Sequence, residues 1–193
     1  MKSLLFATQN QNKVLEIQAA LQGLYTIKSL DEVGFKGELM EPFDTFEENA
    51  AVKARQGYDI FGLPCFAEDA GLVIEALDGR PGVMSARYAG EQKNPKDNID
   101  RVLKELTEKT DRQAYFIAII AFYDGVKTYF FDGRIDGQIL RDCQGQEGFG
   151  YDPIFRPDGY ELSFGEMHLD QKKLMSHRGI AVRKFISWLK NQS

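Results

Sequence analysis

The chain has 193 residues, 43% of them hydrophobic, and a formal net charge of −5. That length suffices to bury a proper core as one domain, or as one domain with a small lobe. No apolar run approaches the roughly 20 residues that cross a bilayer, the acidic balance excludes a basic nucleic-acid footprint, and two cysteines, Cys65 and Cys143, make neither a disulfide framework nor a zinc site.

With no secretory signal ahead of the first strand, a cytoplasmic protein without membrane or nucleic-acid partners is expected. Leu4-Leu5-Phe6 predicts a buried strand. Val14, Ile17, Leu21 and Leu24 then recur at three- and four-residue spacing, which predicts a helix with one buried face. Between them lies the polar loop Ala7-Thr8-Gln9-Asn10-Gln11-Asn12-Lys13, at the carboxyl end of a strand, where open α/β sheets bind ligands. Lys13 falls in the first helical turn, where the helix dipole disfavours a cation unless an anion offsets it. Free N–H groups at such an end favour phosphate, and Thr8, Asn10 and Asn12 add uncharged donors. The loop reads equally well as a plain polar turn with a solvated lysine. An acidic protein that takes a polyanion needs local cations and a divalent ion as well.

Tyr25-Thr26-Ile27 predicts a second strand, and Ser29 to Asp44 a polar loop in which Pro42 holds Glu41 extended. Thr45 and Glu48 form a capping box that opens a helix to about Phe61, packed through Ala50, Ala54, Tyr58 and Phe61. Lys53 shares a face with Asn49, away from that stripe, and reads by position as a solvated lysine. Gly62-Leu63-Pro64 ends the helix and Cys65-Phe66-Ala67 begins a strand. Glu68 and Asp69 are expected at that strand's end, before Ala70-Gly71 and a further apolar run, Leu72-Val73-Ile74. Paired acids there serve either as turn formers or as the one or two carboxylates of a Mg²⁺ site completed by phosphate oxygens and water. Glu41 is a third candidate carboxylate.

Asp78 to Gly82 predicts a turn, and Asn94-Pro95 opens a helix that buries Ile99, Val102, Leu103 and Leu106. Ala114 to Tyr123 and Lys127 to Phe131 flank Asp124-Gly125, a hairpin signal, with the first strand in mid-sheet. In Gly148-Phe149-Gly150-Tyr151-Asp152-Pro153 the glycines let a backbone approach a flat ligand, Phe149 offers a stacking face, and Asp152 before proline is expected extended. Ser176-His177-Arg178-Gly179 precedes a final helix packed through Val182, Phe185, Ile186 and Leu189. His177 and Arg178 repeat the misplaced positive charge of Lys13, and Lys172 and Lys173 add to it.

Four motifs in this order resemble the inosine triphosphate pyrophosphatase family, the XTP/dITP diphosphatases: Thr8-x-Asn10-x-x-Lys13; Phe46-x-Glu48-Asn49-Ala50 with Lys53-Ala54; Gly148-Phe149-Gly150-Tyr151-Asp152-Pro153; and Ser176-His177-Arg178. The resemblance covers nearly the whole chain. It implies a single domain over residues 1–193, mixed α/β, with an elongated central sheet flanked by helices and an active-site cleft between two lobes. It further implies a homodimer that hydrolyses non-standard purine nucleoside triphosphates (ITP, dITP, XTP) to monophosphate and pyrophosphate with Mg²⁺.

Carried over by position, Thr8, Gln9, Asn10, Gln11, Asn12 and Lys13 would cradle the triphosphate, and Lys53 would reach its oxygens. Glu41, Glu68 and Asp69 would hold Mg²⁺, with Asp69 also orienting or deprotonating the attacking water. Phe149, Gly150, Tyr151, Asp152, Lys172, His177 and Arg178 would form the base pocket. The chain departs from the family in two places. Ala70 stands where a substrate-facing hydroxyl residue is frequent, and Glu68 where many members carry aspartate. A nucleotide-binding protein without turnover and a hydrolase of other nucleotides are the competing readings.

Overall fold

The computed structural model describes residues 3–21 and 25–192. A six-stranded sheet runs in the order β2-β1-β3-β4-β5-β6. Its strands are β1 (Ser3–Phe6), β2 (Thr26–Ser29), β3 (Cys65–Ile74), β4 (Gln113–Tyr123), β5 (Thr128–Ile139) and β6 (Phe155–Pro157). Helices α1 (Gln11–Leu21), α2 (Phe46–Phe61), α3 (Pro95–Glu105), α4 (Leu169–Met175) and α5 (His177–Asn191) complete the mixed α/β architecture. β1 lies parallel to both β2 and β3, whereas β6 is antiparallel to β5.

The chain divides into two compact units. One comprises Met1–Asp69, Ala118–Asp132 and Ala181–Ser193, the other Ala70–Ile117 and Gly133–Ile180. In the first, Phe6 and Phe66 stack at 4.5 Å, and Phe185 packs against Phe66, Phe122 and Phe131. Val14 and Ile17 of α1 are buried as their spacing requires; the side chain of Leu21 and the whole of Leu24 lie outside the described residues. In the second unit Ile99, Val102 and Leu106 join Leu72, Phe116, Ile154, Phe155 and Phe164 in one core.

Local chemistry sets the element ends. Thr45 Oγ1 accepts from the Glu48 N–H, the N-cap half of a capping box, and its hydroxyl donates to the Glu48 carboxylate. Gly62 closes α2 in the left-handed conformation. Asn94 caps α3, with Pro95 in its first turn. At the hairpin, Asp124 Oδ1 accepts from both Val126 and Lys127 N–H groups at 2.8 Å.

Four expectations need correction. β3 does not end at Glu68 and Asp69 but runs unbroken through Ala70 and Gly71 to Ile74. β5 extends beyond Phe131 to Ile139, with Asp132, Arg134 and Asp136 exposed on alternate positions, as a half-buried strand demands. Asp152 is not extended; it opens a single 3-10 turn, Asp152–Ile154, in which its carboxylate bonds back to the Phe149 N–H. Lys53 is not solvated: the buried face of α2 comprises Asn49, Ala50, Lys53, Ala54 and Gly57, while Tyr58 and Phe61 are only half-buried. The helix seats closely there, since a Cβ on Gly57 would fall 2.5 Å from Cys65 Sγ.

Candidate functional site

In the first unit the site begins where β1 ends. Thr8 Oγ1 accepts from the Asn10 N–H, and Asn10 Oδ1 accepts from the N–H groups of Asn12 and Lys13, which caps α1. The amides of Gln9 and Gln11 are tied to Gly37 O and to Asp31. The loop is therefore held by its own polar side chains, and α1 starts at a fixed angle with Lys13 in its first turn.

β3 continues past the end of β1, with Phe66 paired to Phe6, so Glu68 and Asp69 run alongside that loop. Lys13 Nζ donates to the Glu68 carbonyl oxygen at 3.3 Å and lies 3.6 Å from Glu68 Oε1. Lys53 Nζ donates to the same carbonyl at 3.0 Å, to Asp69 Oδ1 at 3.3 Å and to Glu41 Oε1. One carbonyl oxygen thus gathers both ammonium groups. Burial alone would lower the pKa of Lys53, but Asp69 and Glu41 outweigh it and hold the ammonium above its usual range. Burial pushes the Asp69 carboxyl up, against the pull of Lys53 and Lys13.

Magnesium takes one or two protein carboxylates and fills the rest of its shell with water and phosphate oxygens. Asp69 fits that role. Its Oδ2 is buried and has no hydrogen-bond partner among the described residues, while its Oδ1 and Glu41 Oε1 converge on one cation, Lys53. A cage of three acids is not assembled: among the described residues no three His, Cys, Asp or Glu side chains gather about one point. Glu68 directs its fully buried carboxylate toward Lys13.

The second unit carries the aromatic and cationic cluster. Gly148 and Gly150 adopt positive φ around Phe149, whose ring is half-buried. Asp152 Oδ2 accepts from the Phe149 N–H at 2.7 Å and from Lys172 Nζ. Burial pushes the Asp152 carboxyl up, opposed by Lys172, the Phe149 N–H and Arg178. Lys172 Nζ stands 5.0 Å from the Phe149 ring centre and Arg178 Cζ 5.4 Å from it. Two buried cations therefore flank one aromatic ring. The His177 ring stacks on Phe116 at 4.8 Å. Tyr151 is a core residue whose hydroxyl donates to Ser85 O at 2.8 Å. Ala70, half-buried in β3, brings no hydroxyl.

Gln56 is not among the candidate residues of the sequence, and Asn49 enters there only as a motif residue on the Lys53 face. Both bond the backbone of the segment that carries Glu41. The signal available was the polar row Asn49, Lys53, Gln56 along one helix face.

Known proteins are similar to this chain over nearly its full length. The dITP/XTP pyrophosphatase of Flavobacterium psychrophilum is 45% identical, across 97% of this chain and 99% of its own. That of Bacillus subtilis is 43% identical over 95% of each chain. The Ham1 protein structures from Staphylococcus aureus and Coxiella burnetii superpose with TM-scores of 0.91 and 0.92, at 33% and 34% identity. They match 100% and 99% of this chain, and 100% of each of those chains. The Ham1 family model matches residues 4–188, and the chain belongs to that family.

Proposed function

We propose that the protein hydrolyses the non-standard purine nucleoside triphosphates ITP, dITP and XTP to monophosphate and pyrophosphate, removing them from the nucleotide pool. The observation that carries this reading is the convergence of Lys13 and Lys53 on the Glu68 carbonyl, with Asp69 beside them. Phosphoryl transfer needs positioning and charge stabilisation more than covalent chemistry. Lys13 and Lys53 bind phosphate oxygens, exchanging their internal partners for the substrate. Asp69 orients the attacking water and accepts its proton; a carboxyl pushed up by burial is a better base than an exposed one. Glu41 and Asp69 would hold Mg²⁺, which supplies the charge neutralisation that three carboxylates and two ammonium groups lack for a polyanion.

In the second unit, Phe149 stacks on the base while Lys172 and Arg178 present donors only. A 6-keto purine accepts from them; adenine offers an amino donor at that position. A site built around such a bond rejects the mismatched analogue by large factors. The curated relatives named above are dITP/XTP pyrophosphatases, which supports the same substrate class.

A cytoplasmic homodimer goes with this reading. No helix among the described residues is long and apolar enough to cross a membrane, and light scattering of the purified chain tests the dimer. The function is tested by pyrophosphate release from ITP, XTP, dITP and the four common triphosphates with Mg²⁺. Hydrolysis of ITP and XTP on the order of 100-fold faster than ATP is expected. Equal rates on all would remove the specificity, and tight ITP binding without product would mark a binding protein instead.

A further inference from the structure

Asn49, Lys53 and Gln56 lie along one face of α2 and all three hold the segment from Met40 to Phe43. Asn49 Nδ2 donates to Phe43 O at 2.9 Å, and its Oδ1 accepts from the Phe43 N–H at 3.0 Å. Gln56 Nε2 donates to Met40 O and its Oε1 accepts from the Met40 N–H, both at 3.1 Å. Each carboxamide matches both backbone groups of one residue, as a neighbouring β-strand would. Between the two clamped residues sits Glu41, and between the two carboxamides sits Lys53, which takes the Glu41 carboxylate.

Hydrophobic burial does little to fix this segment. Met40 is 64% exposed and Phe43 41%. Four hydrogen bonds from the two carboxamides, with the Glu41–Lys53 pair, attach it to α2. Neither carboxamide titrates or bears charge, so the attachment persists when Lys53 turns to a phosphate.

We propose that Asn49 and Gln56 are positioning residues for Glu41: they hold its segment in register on α2, so that its carboxylate stays beside Lys53 and Asp69 for the incoming cation and substrate. This rests on the pyrophosphatase reading above. Without the clamp, an exposed segment has to be ordered at each binding event, and that entropy appears as weaker binding.

The test compares the purified wild-type chain with Asn49→Ala, Gln56→Ala and Gln56→Glu. The last keeps the shape but sets a carboxylate oxygen against the Met40 carbonyl. Three quantities are measured: hydrogen exchange at the Met40 and Phe43 amides, Mn²⁺ affinity by calorimetry on the substrate-free protein, and KM and kcat for ITP with Mg²⁺. The wild type should protect both amides; Asn49→Ala should lose protection at Phe43 and the Gln56 variants at Met40. Mn²⁺ should bind about tenfold more weakly and KM rise about tenfold, with a smaller fall in kcat, as befits one or two lost hydrogen bonds.

Lost protection with wild-type Mn²⁺ affinity and KM would overturn the proposal, as would unprotected amides in the wild type. Should Asn49→Ala fail to fold, the half-buried Gln56 carries the test alone. A wild type that releases no pyrophosphate from any purine triphosphate refutes the enzymatic reading, while exchange and Mn²⁺ affinity still judge the clamp.

Discussion

The ammonium of Lys53 and the carboxylate of Asp69 stand 3.3 Å apart on two different elements, α2 and β3. Both are buried, and Glu41 joins them from a third segment. Such a pair is costly to assemble and weak evidence for stability in itself. Its presence in an acidic chain calls for a task, and phosphate chemistry supplies one.

The two partners should respond oppositely to neutralisation. Lys53→Met leaves Asp69 and Glu41 without their shared cation, at a cost of about 3 kcal/mol. Asp69→Asn removes a charge that burial already disfavours and should leave the unfolding temperature close to wild type. Turnover should fall in both, for Asp69→Asn by a factor on the order of 10² to 10⁴. Thermal unfolding and pyrophosphate release, measured side by side, check the contrast.

Lys172→Met should make stability more sensitive to pH. Asp152 already has its carboxyl pushed up by burial, and Lys172 is its main counter-charge. Removing that charge raises the folded pKa further. A raised carboxyl contributes stability that is present below its unfolded pKa and lost as pH rises through its folded value. Denaturant unfolding should therefore show the variant nearest to wild type below the ordinary carboxylate range and furthest from it at neutral pH.

Two glycines flank Phe149 and should differ in tolerance. A Cβ at Gly148 would fall 2.1 Å from Asp152 Oδ2, with φ at +75°, whereas one at Gly150, φ +62°, meets nothing within 4 Å. Gly150→Ala then costs only the left-handed strain, about 1 kcal/mol. Gly148→Ala also displaces the carboxylate that holds Phe149 and Lys172, and should cost clearly more. It should also raise KM for ITP; chemical denaturation and steady-state kinetics read both effects.

Arg178→Met keeps bulk and apolar contact with Phe149 but removes the donors. If those donors select a 6-keto oxygen, the ratio of kcat/KM for ITP over ATP should fall on the order of 100-fold, mostly through loss of ITP. A ratio unchanged from wild type would take Arg178 out of base selection.

Much of this was legible locally. The Thr45–Glu48 cap, Gly62, Asn94-Pro95 and Asp124-Gly125 each set an element end by contacts within a few residues. What escaped depends on distant chain. Glu68 and Asp69 read as the end of β3 because they interrupt the apolar run, yet the strand continues through them to Ile74. Lys53 looked solvated because only the tertiary fold brings Glu41, the Glu68 carbonyl and Asp69 to it. The positive charge of Lys13 in the first turn of α1 is answered within the chain by the carboxyl and carbonyl groups of Glu68. Helix α4 escaped because seven residues show too little periodicity, although it delivers Lys172 to Asp152.

The most direct test follows the attacking oxygen. Hydrolysis of ITP by the wild type with Mg²⁺ in ¹⁸O-labelled water, read by ³¹P NMR, locates the phosphorus that Asp69-oriented water attacks. The label should appear in the monophosphate, with unlabelled pyrophosphate as the other product. Label in pyrophosphate, or release of orthophosphate, would contradict attack at the α-phosphorus and the arrangement of Lys13, Lys53 and Asp69 argued here.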